Sequence, residues 1–345
     1  MLRRISICLV LCTGLAACSG GSSTPEPAPN PEGAQTEPAG ASVVRGVAVH
    51  PANPSIVYAA TWSGLYRSGD AGASWAAASE ELRTVRFHTV AIDPKGPETV
   101  YAGAADEKGV YKTTDGKSWA SARNGLTNGT VFALTVVNAP KPAVFAATNG
   151  SGIFRSEDGG ASWSPVNQGL PQNPVVHDVG QTAPGTLFAS VFTGGALKST
   201  DGGTSWTATN NGLTLLLMSR IIAEPKAPRT LYAATFGGPG LFKSTDGGTT
   251  WAPSAIGITN PIVEDVLAAG GAVYAATQGG VFKSTDGGSS WTGANEGLPG
   301  GTFMLTIAAD PKTPTTLYVG TNGQGLFKTT DGGTSWTKVS GSLGS

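Results

Sequence analysis

The sequence predicts an all-β chain, a single seven-bladed β-propeller of four-stranded antiparallel blades. Three observations carry that expectation. A short pattern of Asp, Gly and Trp recurs seven times, the same order of β-forming segments returns between the recurrences, and nothing in between has the length or periodicity of a helix.

The recurrences are SGDAGASW (68–75), TTDGKSW (113–119), SEDGGASW (156–163), STDGGTSW (199–206), STDGGTTW (244–251), STDGGSSW (284–291) and TTDGGTSW (329–336). Their Trp residues lie 44, 44, 43, 45, 40 and 45 positions apart, so the chain from about residue 43 onward is one array. In the last unit, Thr306–Ala309 is a short apolar run closed by Asp310-Pro311, and Pro cannot continue a central ladder. Thr316–Thr321 and Gly325–Lys328 alternate and are rich in β-formers, and Ser335–Val339 closes the unit. The same four segments read VAIDP, TVYAGA, GVYKTTDG and SWASA in the second unit, and RIIAEP, TLYAAT, GLFKSTDGG and TWAPS in the fifth. Four antiparallel strands at this period, repeated seven times, fit a disc that limits free sheet edges by closing on itself. Parallel β-helices and leucine-rich solenoids need shorter coils.

Each box falls between the third and fourth strands. Its glycines permit positive φ, its Asp carboxylate can accept backbone N–H groups across the turn, and its Trp can fold against the sheet. An indole burying roughly 150 to 250 Å² contributes about 4 to 6 kcal/mol, as an upper bound before ordering entropy. The boxes are therefore expected to be structural: Asp70 with Trp75, Asp115 with Trp119, Asp158 with Trp163, Asp201 with Trp206, Asp246 with Trp251, Asp286 with Trp291 and Asp331 with Trp336. The second copy has three residues between Asp and Trp where the others have four, so its turn should be tighter or distorted. One carboxylate per turn is too few for a calcium loop, and no metal or cofactor is expected.

Residues 1–17 have basic Arg3 and Arg4, an apolar stretch and small residues before Cys18, the pattern of a secretory signal. Leu15-Ala16-Ala17-Cys18 resembles a bacterial lipobox, which implies lipid on Cys18, a membrane anchor and, with Ser19 following, outer-membrane placement on an unspecified side. Residues 18–42 lack bulky apolar side chains and read as a mobile Pro/Gly/Ser-rich tether, leaving 43–345 for the propeller. Of three cysteines, Cys8 and Cys12 leave with the signal, so the domain is exported without a thiol or disulfide. With 22 basic against 23 acidic residues and no basic run in the array, nucleic acid is not an expected partner.

The pattern S/T-x-D-x-G-x-x-W resembles the Asp-box, or bacterial neuraminidase repeat, found in sialidases, sortilin-type receptors, xyloglucan-cleaving glycosidases and photosystem II assembly propellers. The resemblance implies a BNR-like fold in which the boxes lie away from the usual ligand face. It does not extend to sialidase chemistry, because all seven Tyr residues occupy repeated strand positions, the FRIP-like segment is missing and sialidase propellers have six blades. Xyloglucan-cleaving relatives place their site between two propellers, and this array forms one.

Function is then sought where the repeat is broken. The connections opposite the boxes align as Trp62, Asp106, Asn149, Phe192, Phe236, Gln278 and Asn322, the second approximately because its loop is longer. Aromatic faces beside amides suit sugar rings or an extended peptide, while packing between blades would explain the same residues. A second set sits where the first strands begin: Arg45, His88, His177, Asp178, Arg220, Glu264 and Asp265. Asp178 against Glu264 or Asp265 could form the acid and base of a glycosidase, while an ion network with Arg220 around a wet channel accounts for them without catalysis. The expectation is a monomeric, non-enzymatic envelope lipoprotein that binds a protein or polysaccharide through Trp62, Asn149, Phe192, Phe236, Gln278, Asn322, Arg220 and His177. The alternative is a glycoside hydrolase using Asp178, Glu264 and Asp265.

Overall fold

The computed structural model describes residues 43–343 apart from 139 and 342, so the signal segment 1–17, Cys18 and the tether 18–42 lie outside the described residues. Twenty-eight strands form seven sheets of four, each built from four consecutive strands in antiparallel order. In blade seven they are Met304–Ala309, Leu317–Thr321, Leu326–Thr329 and Thr337–Lys338. The fourth strand is two residues long in every blade, shorter than its sequence suggests, because the box turn consumes the residues before it. A 3-10 turn at Glu80–Leu82 is the one helical element among the described residues.

The first strands stand side by side in a closed ring: Val44–Val49, Phe87–Ile92, Val131–Val137, Val176–Ala183, Met218–Glu224, Val263–Ala269 and Met304–Ala309. Their side chains alternate between the two neighbouring blades, as the period of a strand requires. Ile221 packs into the cluster shared with blade four, and Ile222 into the cluster shared with blade six. The core is thus seven apolar layers between blades, each holding one box Trp.

The box clamps adjacent blades together. The Asp carboxylate holds its own turn: Asp201 accepts the Ser199 hydroxyl at 2.7 Å and the Ser205 N–H and hydroxyl at 3.0 and 2.6 Å. The indole N–H reaches back to the preceding blade, from Trp206 to the Val166 carbonyl at 2.9 Å and from Trp336 to Ala294 at 2.9 Å. The preceding blade reaches forward in turn. Tyr274 and Lys283 both donate to the Gly332 carbonyl, at 3.1 and 2.8 Å, which explains why Tyr and Lys recur on the second and third strands.

A second repeated signature, absent from the sequence reading above, is Asn-x-Gly-Leu after the fourth strand: Asn167 to Leu170, Asn210 to Leu213 and Asn295 to Leu298. The Asn side chain caps its own blade, Asn210 accepting the Ala196 N–H at 2.8 Å. The Gly packs on the next box. A Cβ on Gly169, which has φ +91°, would lie 1.9 Å from the Trp206 carbonyl oxygen, so any side chain there would push two blades apart.

Blades one and seven share no strand. They close through the Trp75 indole to the Val339 carbonyl at 2.6 Å, Tyr318 and Lys328 to the Ala71 carbonyl at 3.0 Å each, and a backbone bridge between Val43 and Asn322.

Candidate functional site

The face opposite the boxes is organised by backbone registration. The first residue after each second strand donates its N–H to the residue before the first strand of the same blade: Trp62 to Val43, Asn149 to Thr130, Phe192 to Val175, Phe236 to Leu217, Gln278 to Ile262 and Asn322 to Phe303. In blade two the equivalent donor is Ala105, to Arg86, so Ala105 and not Asp106 holds the aligned position. The longer loop there displaces Asp106 by one residue into positive φ, 52°, where its carboxylate takes Arg86 Nε and Nη2 at 2.8 Å each.

Near its entrance every first strand carries a register shift that bulges one residue. The bulged residues are Arg45, His88, Phe132, His177, Ser219, Glu264 and Leu305. The residues after them form a second level: Gly46, Thr89, Ala133, Asp178, Arg220, Asp265 and Thr306. Bulges at a rim re-aim side chains, and here they place two residues per blade at the channel mouth. The charged set read from sequence therefore divides into two levels, a distinction hidden until the pairing register is known.

At the upper level the structure brings aromatic rings into one arc across blades two to five. Phe132 stacks on His177 at 5.0 Å with an interplanar angle of 1°, and meets His88 edge-on at 5.0 Å. His177 also meets Phe236 at 5.1 Å and Phe192 at 5.7 Å. Phe132, His177, Phe192 and Phe236 are half-buried, each ring packed on a neighbour and partly open to solvent. Phe132 reaches the mouth through its bulge, in a first strand that is largely apolar. Trp62 stands apart between Arg45 and Arg86, whose guanidinium carbons lie 5.6 and 5.8 Å from its ring centre. Gln278 donates to Glu264 of the same blade at 2.9 Å, while Asn149 and Asn322 are half-buried without joining the arc.

At the lower level Arg220 lies between two carboxylates, with Nη1 3.0 Å from Asp265 and Nε 3.9 Å from Asp178. Both acids also cap backbone. Asp265 accepts the Val266 N–H at 2.7 Å and, across the blade boundary, the Ile307 N–H at 2.9 Å. Asp178 takes the N–H groups of Ile221 and Val179 in the same way. The first strand is the inner edge of its sheet, so that amide points away from the ladder toward the channel, and the preceding blade's Asp supplies its partner. Desolvation nevertheless raises the Asp178 carboxyl above its ordinary range, the nearby Asp265 charge adds to this, and Arg220 opposes it. Glu264 sits one level higher, bound to Gln278, so the three acids do not converge on one point. Among the described residues no group of His, Cys, Asp and Glu is placed to hold a metal.

A family model described as the DUF6242 beta propeller domain matches residues 130–261, the span of blades three to five. No curated protein matches the chain. Among solved structures, YCF48 bound to D1 peptide is similar with a TM-score of 0.65 and 15% identity, over 85% of this chain and 94% of that one. YCF48 from Cyanidioschyzon merolae gives 0.65 and 18%, over 86% and 98%. The GH74 xyloglucanase from Xanthomonas campestris gives 0.51 and 17%, over 86% and 67%. At such identities the likeness concerns the fold: the chain is similar to a DUF6242 β-propeller across three of its blades, and to YCF48 and xyloglucanase propellers in architecture.

Proposed function

We propose that this chain is a non-enzymatic binding propeller, exported and held at the outer membrane by lipid on Cys18, that captures an envelope protein or polysaccharide through the face opposite its boxes. The observation that carries the reading is the half-exposed arc of Phe132, His177, Phe192 and Phe236, on the same face as the Arg-flanked Trp62. Rings already packed on one another present a rigid apolar platform, and immobilising them on contact loses little entropy. The similar YCF48 structure described as bound to D1 peptide shows that the scaffold is compatible with such use in that protein. Against a glycosidase stands the employment of Asp178 and Asp265 as caps for the next blade's backbone.

The test is capture from envelope extract on the immobilised full chain, with the Trp62→Ala, Phe192→Ala, Phe236→Ala triple variant as control. A species retained by the native chain and lost by the variant is the expected result. Equal retention by both would remove the loop face from the interaction, and a captured glycan that shortens on incubation would replace this reading with the enzymatic one.

A further inference from the structure

Beneath the mouth, between blades four and five, lies a cavity of about 410 Å³ lined by residues including Asp178, Arg220, Thr135, Thr182, Ile222 and Glu224. It runs from the level of Arg220 to the turn at Glu224-Pro225, away from the aromatic arc, and its size falls in the range of small-molecule sites. One residue gives blade four an opening at this level that the other blades lack. Two positions below each mouth bulge plus one, opposite the Tyr or Phe of the second strand, the blades carry Ala48, Ala91, Thr135, Gly180, Ile222, Leu267 and Ala308. Side chains at this level lean toward the following blade, as the Thr135 hydroxyl does in donating to the Val179 carbonyl. Gly180 contributes no side chain to the boundary with blade five, and the space stays open.

We propose that this cavity is a binding site for a neutral polyhydroxylated molecule of about monosaccharide size. The chemistry of the lining selects the class. Arg220 keeps 42% of its side chain accessible, and only Nη1 is at hydrogen-bond distance from a carboxylate, which leaves guanidinium donors for a ligand oxygen. Anions are disfavoured because Asp178, Asp265 and Glu224 outnumber that one cation. Cations are disfavoured because Asp178 and Asp265 already accept backbone N–H groups. A hydroxyl suits both halves of the site, since it accepts from Arg220 and donates to Glu224, Thr135 or Thr182. Pro225 and Pro228 supply an apolar patch for the C–H face of a sugar ring. The site is independent of the loop face and does not rest on the function proposed above.

Gly180→Leu is the discriminating substitution. A Cβ there meets its nearest atom, the Ile221 carbonyl oxygen, at 3.5 Å, an ordinary contact, and blade six carries Leu267 at the equivalent position. Its side chain is expected to fill the cavity, with Asp178 Oδ2 the next nearest atom to the Cβ at 3.9 Å, also an ordinary contact. Calorimetric titration of the full chain with glucose, N-acetylglucosamine, mannitol, citrate and agmatine reads the outcome, with thermal melting to confirm that the variant folds. Binding of at least one neutral polyol that weakens about tenfold or more in Gly180→Leu, at unchanged melting temperature, is expected. Glu224→Gln, which keeps the shape and one acceptor, should weaken it less. The proposal is overturned if no polyol binds, if a polyol binds equally to Gly180→Leu, or if only citrate or only agmatine binds. Should Gly180→Leu melt early, Gly180→Ala supplies the same comparison with a smaller expected loss of affinity.

Discussion

The seam between blades seven and one and the seam between blades one and two differ in what holds them. Blades seven and one are farthest apart in the chain, yet their seam carries the complete clamp: the Trp75 indole on Val339, and Tyr318 with Lys328 on Ala71. Lys312 adds a bond to the Ala52 carbonyl at 2.7 Å, and Leu343 tucks into the same apolar layer. Blades one and two are joined directly by the chain, and their clamp is incomplete. The Trp119 indole N–H is buried without a hydrogen-bond partner, alone among the seven box indoles, and makes only an edge contact with Tyr58 at 6.2 Å. Arg67 stands where five of the other six blades have Lys and lies over the Tyr58 ring as those Lys lie over theirs. The shortened second box explains the defect: Asp115 gathers the amides of Lys117 and Ser118, and the turn lacks the residue that would carry its Trp one step further. Where covalent linkage already keeps two blades near each other, a weaker clamp is tolerated. Where it does not, the clamp is whole.

The largest expected effect that tests this difference comes from Trp75→Ala against Trp119→Ala. Both remove a buried indole, at a cost of about 3 to 5 kcal/mol in a well-packed core. Trp75→Ala should cost about 1 to 2 kcal/mol more, because it also leaves the Val339 carbonyl without its donor. Denaturant melts of both variants measure the gap, and equal losses would show that the two seams are energetically alike.

Restoring the missing residue sharpens the point. A glycine inserted after Gly116 regenerates the common box length and lets the Trp119 indole address the Ala78 carbonyl, the counterpart of Val339 and Val166. Thermal stability is expected to rise by about 1 kcal/mol, the net worth of one buried hydrogen bond. A loss of stability would mean that the short turn is required by its surroundings.

The smallest effect is on acid sensitivity. The Ser74 hydroxyl and N–H, with the Ser68 hydroxyl, hold Asp70 down to about 2 from an ordinary 3.8. A carboxylate lowered on folding stabilises fully above its unfolded value and loses that contribution as pH falls through its folded one. Melting temperature should therefore fall between about pH 4 and pH 2, and Asp70→Asn, already lowered at neutral pH, should show a shallower fall than the native chain. Parallel curves would assign the acid loss to the other boxes.

The box spacing and the β-forming segments recurring between the boxes made the blade count, the strand order and the inward Trp legible, since each follows from a pattern repeated seven times. The site was legible only in part. Trp62, Phe192 and Phe236 stood out as large residues at Gly-rich tips, but Phe132 did not, because only a β-bulge separates it from a core position. For Asp178 and Asp265 the sequence offered an ion network with Arg220 or, as the alternative, a catalytic pair, and their bonds to the next blade's backbone were hidden because a sequence does not show which edge amides face the channel. Gly180 was one glycine among 50, and its significance depends on what the other six blades place at the same level. The Asn-x-Gly-Leu signature was present in the letters and went unread because it falls between predicted strands, where a turn was expected and nothing more.

Because every blade is contiguous, the ring has a seam in time as well as in space. Blade one is complete in the chain by Ala77, but the acceptor for its indole, Val339, lies 264 residues beyond Trp75, past the fourth strand of blade seven. Until blade seven has been made the growing disc is an open arc whose first blade presents the Trp75 ring and the Ala71 carbonyl to solvent. The same arrangement makes the order of blades formally free: a permuted chain opened at another boundary, with blade seven joined to blade one, would keep all seven clamps and expose a different blade face while it waits to close.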